Sequence, residues 1–226
     1  HFAHRRDRRL IARMASAPPR AQVFELFPTP VMRVEGCIDT TLVAGLHAQL
    51  GGDLSEANHR SDALSHSRLL SPQDAPLLRE VAQRLDAPLR EFGTLLFGEA
   101  LRWRIKEMWL NVMQAGGQQA VHNHANSFVS GVLYLSACEP ASNTAFIRSL
   151  GGRDYVFSNA NPRSTTGPFN AERWIGPTPA AGDLLLFPSY LLHEVPVNRG
   201  ATRSTLAFNA MPDRLDAWGY SMSFSN

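Results

Sequence analysis

The chain has little cysteine, no large excess of charge of one sign and no long hydrophobic run, and each shortage closes off a class of function. Its two cysteines, Cys37 and Cys138, stand far apart with no CxxC pair. Neither a disulfide framework nor a thiolate metal site is indicated, and a reducing cytoplasm fits best. Cys138 follows an apolar strand and reads as a buried or strand-end thiol without a role. No apolar stretch approaches the roughly 20 residues that span a bilayer, and Leu10-Ile11-Ala12 is too short for a signal-peptide core. Membrane partners are therefore not expected. The 22 Lys+Arg against 20 Asp+Glu nearly balance, with the basic excess in His4-Arg5-Arg6-Asp7-Arg8-Arg9. Without that run no basic surface is left to argue for nucleic acid. What is present is a 226-residue chain, 44% hydrophobic, long enough for one sizeable core.

Residues 1–20 are arginine-rich, end in Ala17-Pro18-Pro19 and read as a flexible tail, with Met14 a candidate start; 21–226 read as one domain. Residues 24–34 suggest an edge strand interrupted by Pro28 and Pro30, which an edge tolerates. Asp39 or Thr40 can cap a helix carrying Leu42, Val43, Leu46 and Leu50 at helical spacing, stopped by Gly51-Gly52. Residues 53–70 look like loop. Ser71-Pro72-Gln73-Asp74 opens a second helix whose Leu77, Leu78, Val81, Leu85, Leu89, Phe92 and Leu96 share one face, with a kink expected at Pro88. From Leu101 the period becomes two. Strands are expected at about 102–114, 128–137, 144–149, 172–176, 183–187, 190–197 and 202–210. Helices first and short antiparallel strands afterwards point to a mainly β fold, a β-sandwich or jelly roll with N-terminal packing helices.

Within that pattern lies His122-Asn123-His124, followed much later by His193. Alternate residues of an extended segment point the same way, so His122 and His124 can converge on one ion while a distant strand brings His193. Three neutral imidazoles make a face that leaves coordination positions open, which is catalytic rather than structural geometry. Structural zinc is usually closed by four ligands. Ten positions beyond His193, alternation sets Arg203, Thr205, Ala207 and Asn209 on one strand face. Turned into a barrel, Arg203 becomes a buried guanidinium that calls for an anion. A bidentate carboxylate suits it, with the Thr205 hydroxyl adding a bond. Asn111 and Tyr134 lie on expected barrel strands and could donate to the same carboxylate or to substrate. Trp103, Trp109, Trp174 and Phe187 can be pocket wall or core. His1, His4, His47, His59 and His66 fall outside any ligand pattern.

The series Trp109-Leu110-Asn111-Val112, Gly117, His122-x-His124, Ser130-Gly131-Val132-Leu133-Tyr134-Leu135, Gly182-Asp183-Leu184-Leu185-Leu186-Phe187-Pro188-Ser189, His193 and Arg203-Ser204-Thr205-Leu206-Ala207-Phe208-Asn209 resembles a bacterial and phage branch of the 2-oxoglutarate and iron(II)-dependent oxygenases. The Leu26-Phe27-Pro28-Thr29-Pro30-Val31 opening is similar too. The resemblance implies a double-stranded β-helix. It implies Fe(II) held by His122, His124 and His193, and 2-oxoglutarate as cosubstrate with one carboxylate on Arg203. It also implies hydroxylation of a small-molecule substrate that the sequence does not name. The wider superfamily has His-x-Asp/Glu where this chain has His-x-His, so His124 brings no negative charge to the ion. Two other readings follow from the same residues: a cupin-like three-histidine dioxygenase without a keto acid, and a non-catalytic barrel that binds a metal or small acid. Self-association stays open.

Overall fold

A computed structural model describes residues 21–52, 54, 56–57, 63–149, 159 and 161–225; the expected tail at 1–20 lies outside them. In chain order the elements are β1 (Met32–Val34), α1 (Thr40–Leu50), β2 (Glu56–Ala57), β3 (Leu64–His66), α2 (Pro76–Phe97) and β4 (Trp103–Met113). There follow β5 (Gln119–His122), β6 (Val129–Tyr134), β7 (Ala145–Ile147), β8 (Arg173–Ile175) and β9 (Leu184–Pro188). The chain ends through β10 (His193–Val195), β11 (Arg203–Pro212), β12 (Arg214–Ala217) and β13 (Tyr220–Ser223). Seven strands form one sheet in the order β1-β9-β6-β11-β4-β3-β2, and four form a second in the order β5-β10-β7-β8. All pairings are antiparallel. This is the expected jelly roll.

The two faces of the large sheet do different work. On β11, Leu206, Phe208 and Ala210 join Met108 and Leu110 of β4 in a core shared with Leu46 of α1 and Leu78, Val81, Leu85 and Phe92 of α2. Each fully buried Leu or Phe there contributes roughly 1.5–3 kcal/mol of transfer free energy, which fixes the helices to this face. The intervening residues, Glu107, Trp109 and Asn111 of β4 with Arg203, Thr205 and Asn209 of β11, line a cavity towards the small sheet. A one-residue slip would exchange the two sets, so the apolar pattern of β11 sets the position of Arg203.

Several local expectations are revised. The N-terminal edge strand is confined to Met32–Val34, because Pro28 and Pro30 remove donors and only the residues beyond them reach the ladder of β9. The stretch expected as loop contains β2 and β3, and β3 pairs with β4 so that His66 stands opposite Asn111. Their short, polar sequence hides them from a periodicity argument. The second helix starts at Pro76, since Asp74 accepts from the Ser71 backbone N–H and closes a turn instead. The helix also runs through Pro88 unbroken. Pro88 has no N–H for the Arg84 carbonyl, and the Cys37 thiol donates to that oxygen at 4.0 Å. The helical cap reading holds, with Asp39 Oδ1 accepting from Leu42 N at 2.9 Å. The unanticipated hairpin β12–β13 turns at Trp218 and Gly219, both with positive φ (52° and 81°), the conformation of a type I′ turn.

Candidate metal centre and anion pocket

His193 is placed by strand register. Antiparallel pairing of β10 sets it directly opposite His122 on one side and Phe146 on the other. His124 lies past the end of β5, where its backbone N–H donates to the Ser189 carbonyl at 3.0 Å. That bond ties the His-x-His segment to the end of β9. The expected convergence occurs: ring centroids lie 5.3 Å apart for His122–His124, 4.2 Å for His122–His193 and 5.0 Å for His124–His193. One ligand nitrogen from each falls within 4.8 Å of the others.

Each imidazole faces a carbonyl oxygen through Nδ1. His122 Nδ1 lies 2.7 Å from Ala120 O, His193 Nδ1 2.9 Å from Leu191 O, and His124 Nδ1 2.6 Å from Asn209 Oδ1. A carbonyl only accepts, so each Nδ1 carries the proton and each Nε2 is the basic nitrogen. That is the tautomer a metal needs, held by the hydrogen-bonded shell that orients metal-bound histidines. Protonation is disfavoured as well. Burial, and then the neighbouring His122, pull His193 down to about 3, the Leu191 carbonyl only partly opposing this. Burial lowers His124 too, against the opposing pull of Asn209 and Glu107. The donor set therefore fits a divalent ion of the borderline class that imidazole prefers, iron included, with positions left open.

Arg203 lies deeper in the same cavity, which has a volume of about 430 Å³. The residue is 3% exposed. Nη2 reaches Thr144 Oγ1 at 3.4 Å, the guanidinium carbon stands 5.3 Å from the Tyr134 ring centre, and Nε has no partner. Among the described residues no carboxylate pairs with this cation. A buried guanidinium with unmet donors in a cavity fits a carboxylate ligand of the 2-oxoglutarate kind. Thr205 and Asn111 also line the cavity, on adjacent strands and directly opposite each other. Tyr134 stands apart from them. Its hydroxyl is 2.8 Å from Asn143 Oδ1 and 2.9 Å from Thr144 Oγ1, so it braces the floor beneath Arg203. Burial raises it above the ordinary tyrosine range.

Of the four aromatics, Trp109 lines the cavity and lies 5.6 Å from His124. Phe187 packs on His193 at 4.7 Å, Trp103 is core, and Trp174 is about half exposed. Sequence reasoning missed Glu107, Ser130, Thr144 and His66. The alternation that selected Asn111 on β4 selects Glu107 as well, and the register that pairs Asn209 with Glu107 was the missing information.

Against known proteins, residues 107–209 match the family model described as "Putative 2OG-Fe(II) oxygenase". Among solved structures, the chain is similar to HygX from Streptomyces hygroscopicus with nickel and 2-oxoglutarate bound, at 15% identity and TM-score 0.59, covering 81% of this chain and 83% of that one. It is similar to the non-heme alpha ketoglutarate dependent epimerase SnoN from nogalamycin biosynthesis, at 15% identity and TM-score 0.60 over 82% and 80%. A Pseudomonas putida prolyl-4-hydroxylase gives 19% identity and TM-score 0.54 over 80% and 92%. No curated protein matches. The fold is that of the 2-oxoglutarate and iron(II)-dependent oxygenases, and the segment carrying both the histidines and Arg203 matches that family's model.

Proposed function

We propose that this protein is an Fe(II) and 2-oxoglutarate-dependent dioxygenase that hydroxylates a small molecule, with iron on His122, His124 and His193. The observation that carries the reading is the pairing of two sites in one cavity. Three imidazoles share a tautomer suited to a metal, and a buried guanidinium with no carboxylate partner among the described residues lies on β11 of the facing sheet. Bound iron with 2-oxoglutarate supplies the oxidising chemistry, in which the keto acid becomes succinate and carbon dioxide.

The chain's own residues do the rest. Arg203 takes the distal carboxylate, Thr205 and Asn111 offer further hydrogen bonds to it, and Tyr134 keeps the guanidinium in place from below. Val132 and Ala207 keep that end of the cavity apolar, which strengthens the ion pair. Trp109 and Glu107 stand beside the histidines and form the wall against which a substrate would be oriented. Two unpaired thiols, Cys37 and Cys138, favour a reducing cytoplasm as its place of action. No described helix is long and apolar enough to cross a membrane.

The test is succinate release from 2-oxoglutarate by the iron-loaded protein under oxygen. Turnover that needs both Fe(II) and the keto acid supports the reading. Oxygen uptake without a keto acid identifies the three-histidine dioxygenase instead, and no uptake at all identifies a binding barrel.

A further inference from the structure

Glu107 lies on β4, two residues before Trp109, and its carboxylate Oε1 accepts from Asn209 Nδ2 at 2.8 Å. Asn209, 4% exposed, is held on its other side by His124 Nδ1 at 2.6 Å and Ser130 Oγ at 2.8 Å, both on Oδ1. Ser130 in turn reaches Ser189 at 2.9 Å, and Ser189 donates to Ser127 at 3.0 Å. The order of these bonds removes an ambiguity. An asparagine amide can turn over and offer either end, but a carboxylate can only accept. Glu107 therefore commits Asn209 Nδ2 to itself and leaves Oδ1 facing His124. An oxygen facing His124 obliges Nδ1 to be the donor, which leaves Nε2 to bind a metal.

We infer that Glu107 is a positioning residue for the metal centre, acting through Asn209 to fix the tautomer of His124 and supplying, one side chain removed, the negative charge that this ligand position lacks. The inference rests on the proposed metal role of the three histidines. A carboxylate behind a metal-bound imidazole raises the basicity of the ligand and orients its ring. Here an amide transmits the effect, and Asn209 keeps a charged oxygen off the His124 ring itself. The merely structural alternative is that Glu107 caps Asn209 and pairs with Lys106, whose Nζ lies 3.5 Å from the same Oε1.

Glu107→Gln separates the two, because it keeps shape and packing while removing both the charge and the obligation to accept. Two readouts are taken without turnover. One is Co(II) and Fe(II) affinity under anaerobic conditions, and the other is the tautomer of His124 in the metal-free protein from long-range proton–nitrogen spectra. Metal affinity is expected to fall about tenfold or more, with His124 passing from a single Nδ1-protonated form to a mixture. Adding Asn209→Asp to Glu107→Gln moves the carboxylate onto His124 Nδ1, so it should restore both the single tautomer and most of the affinity. Wild-type affinity and a single tautomer in Glu107→Gln would overturn the inference and leave the proposed function standing. A double variant no better than Glu107→Gln would also overturn it. A wild-type protein that binds neither ion would overturn the inference together with the reading beneath it.

Discussion

Replacing Arg203 with alanine separates the anion-binding role from any structural one, because the two predict opposite balances between stability and affinity. In the native protein the guanidinium is buried, has one long bond of 3.4 Å to Thr144, a Tyr134 ring 5.3 Å away and the Cys138 thiol beside it, and leaves Nε without a partner. It has been desolvated for little return within the protein. Cutting it back loses a cation–π contact and packing of order 1–2 kcal/mol, and relieves a desolvation penalty of comparable or larger size. Stability without ligand should thus change by no more than about 1 kcal/mol. Affinity should behave differently. A carboxylate seated on this cation makes charge-assisted, bidentate bonds in a water-poor site, and removing one partner of such a pair costs about 3–5 kcal/mol. At 1.4 kcal/mol per tenfold, this is a loss of roughly two to three and a half orders of magnitude. Calorimetric titration of 2-oxoglutarate into protein loaded with a divalent metal, next to a thermal melt of the metal-free variant, reads both quantities. Arg203→Lys should fall between, since it keeps the charge but not the planar fork. A 2-oxoglutarate affinity within threefold of wild type in Arg203→Ala would refute the reasoning. A variant that melts far lower without ligand would show that the cation is structural.

Other expectations follow from the same geometry. Asp183 accepts from Arg33 Nη2 at 2.7 Å and from the Gly36 and Ala180 backbone N–H groups, each at 2.9 Å. Burial pushes its carboxyl up, but these three donors outweigh burial and hold it below its ordinary value. Its stabilisation is thus present above the unfolded carboxylate range and is lost as pH falls through the folded value. Asp183→Asn should cost about 3 kcal/mol at neutral pH in a denaturant titration and flatten the acid limb of stability against pH. His193, pulled from 6.5 to about 3, resists protonation in the fold. The contribution of His193 to the stability of the metal-free protein should be complete above about 6.5 and decline towards pH 3 by up to roughly 1.4 kcal/mol per pH unit, so His193→Ala should make the acid slope shallower. A Cβ on Gly131 would collide with the Phe208 ring. Gly131→Ala should therefore destabilise by about 1–3 kcal/mol, read as a lowered melting temperature with metal stoichiometry unchanged.

Which parts were legible in the sequence follows from how local their causes are. β11 announced itself because every second residue is apolar over a long strand, and the same alternation set Arg203, Thr205 and Asn209 on the cavity side. The grouping of His122, His124 and His193 could be anticipated from spacing and turn placement alone. β2 and β3 could not, since they are short and polar and exist by pairing with β4. β5 likewise owes its strand character to β10 opposite it. Tyr134 shows the limit on the site itself. Its position on a cavity strand was readable, but whether its hydroxyl faced a ligand or Asn143 and Thr144 depended on a loop between β6 and β7. The Glu107–Asn209–His124 chain spans two strands and the segment beyond a third, so only register could reveal it.

The central claim is that one cavity holds a metal on three imidazoles and a keto acid on Arg203. Anaerobic addition of Fe(II) and then 2-oxoglutarate tests it most directly, because a keto acid chelating that iron gives a visible charge-transfer band. The band should appear at one equivalent of iron, saturate with 2-oxoglutarate, vanish in His193→Ala and need far more keto acid in Arg203→Ala. Iron bound stoichiometrically with no band at any 2-oxoglutarate concentration would contradict it.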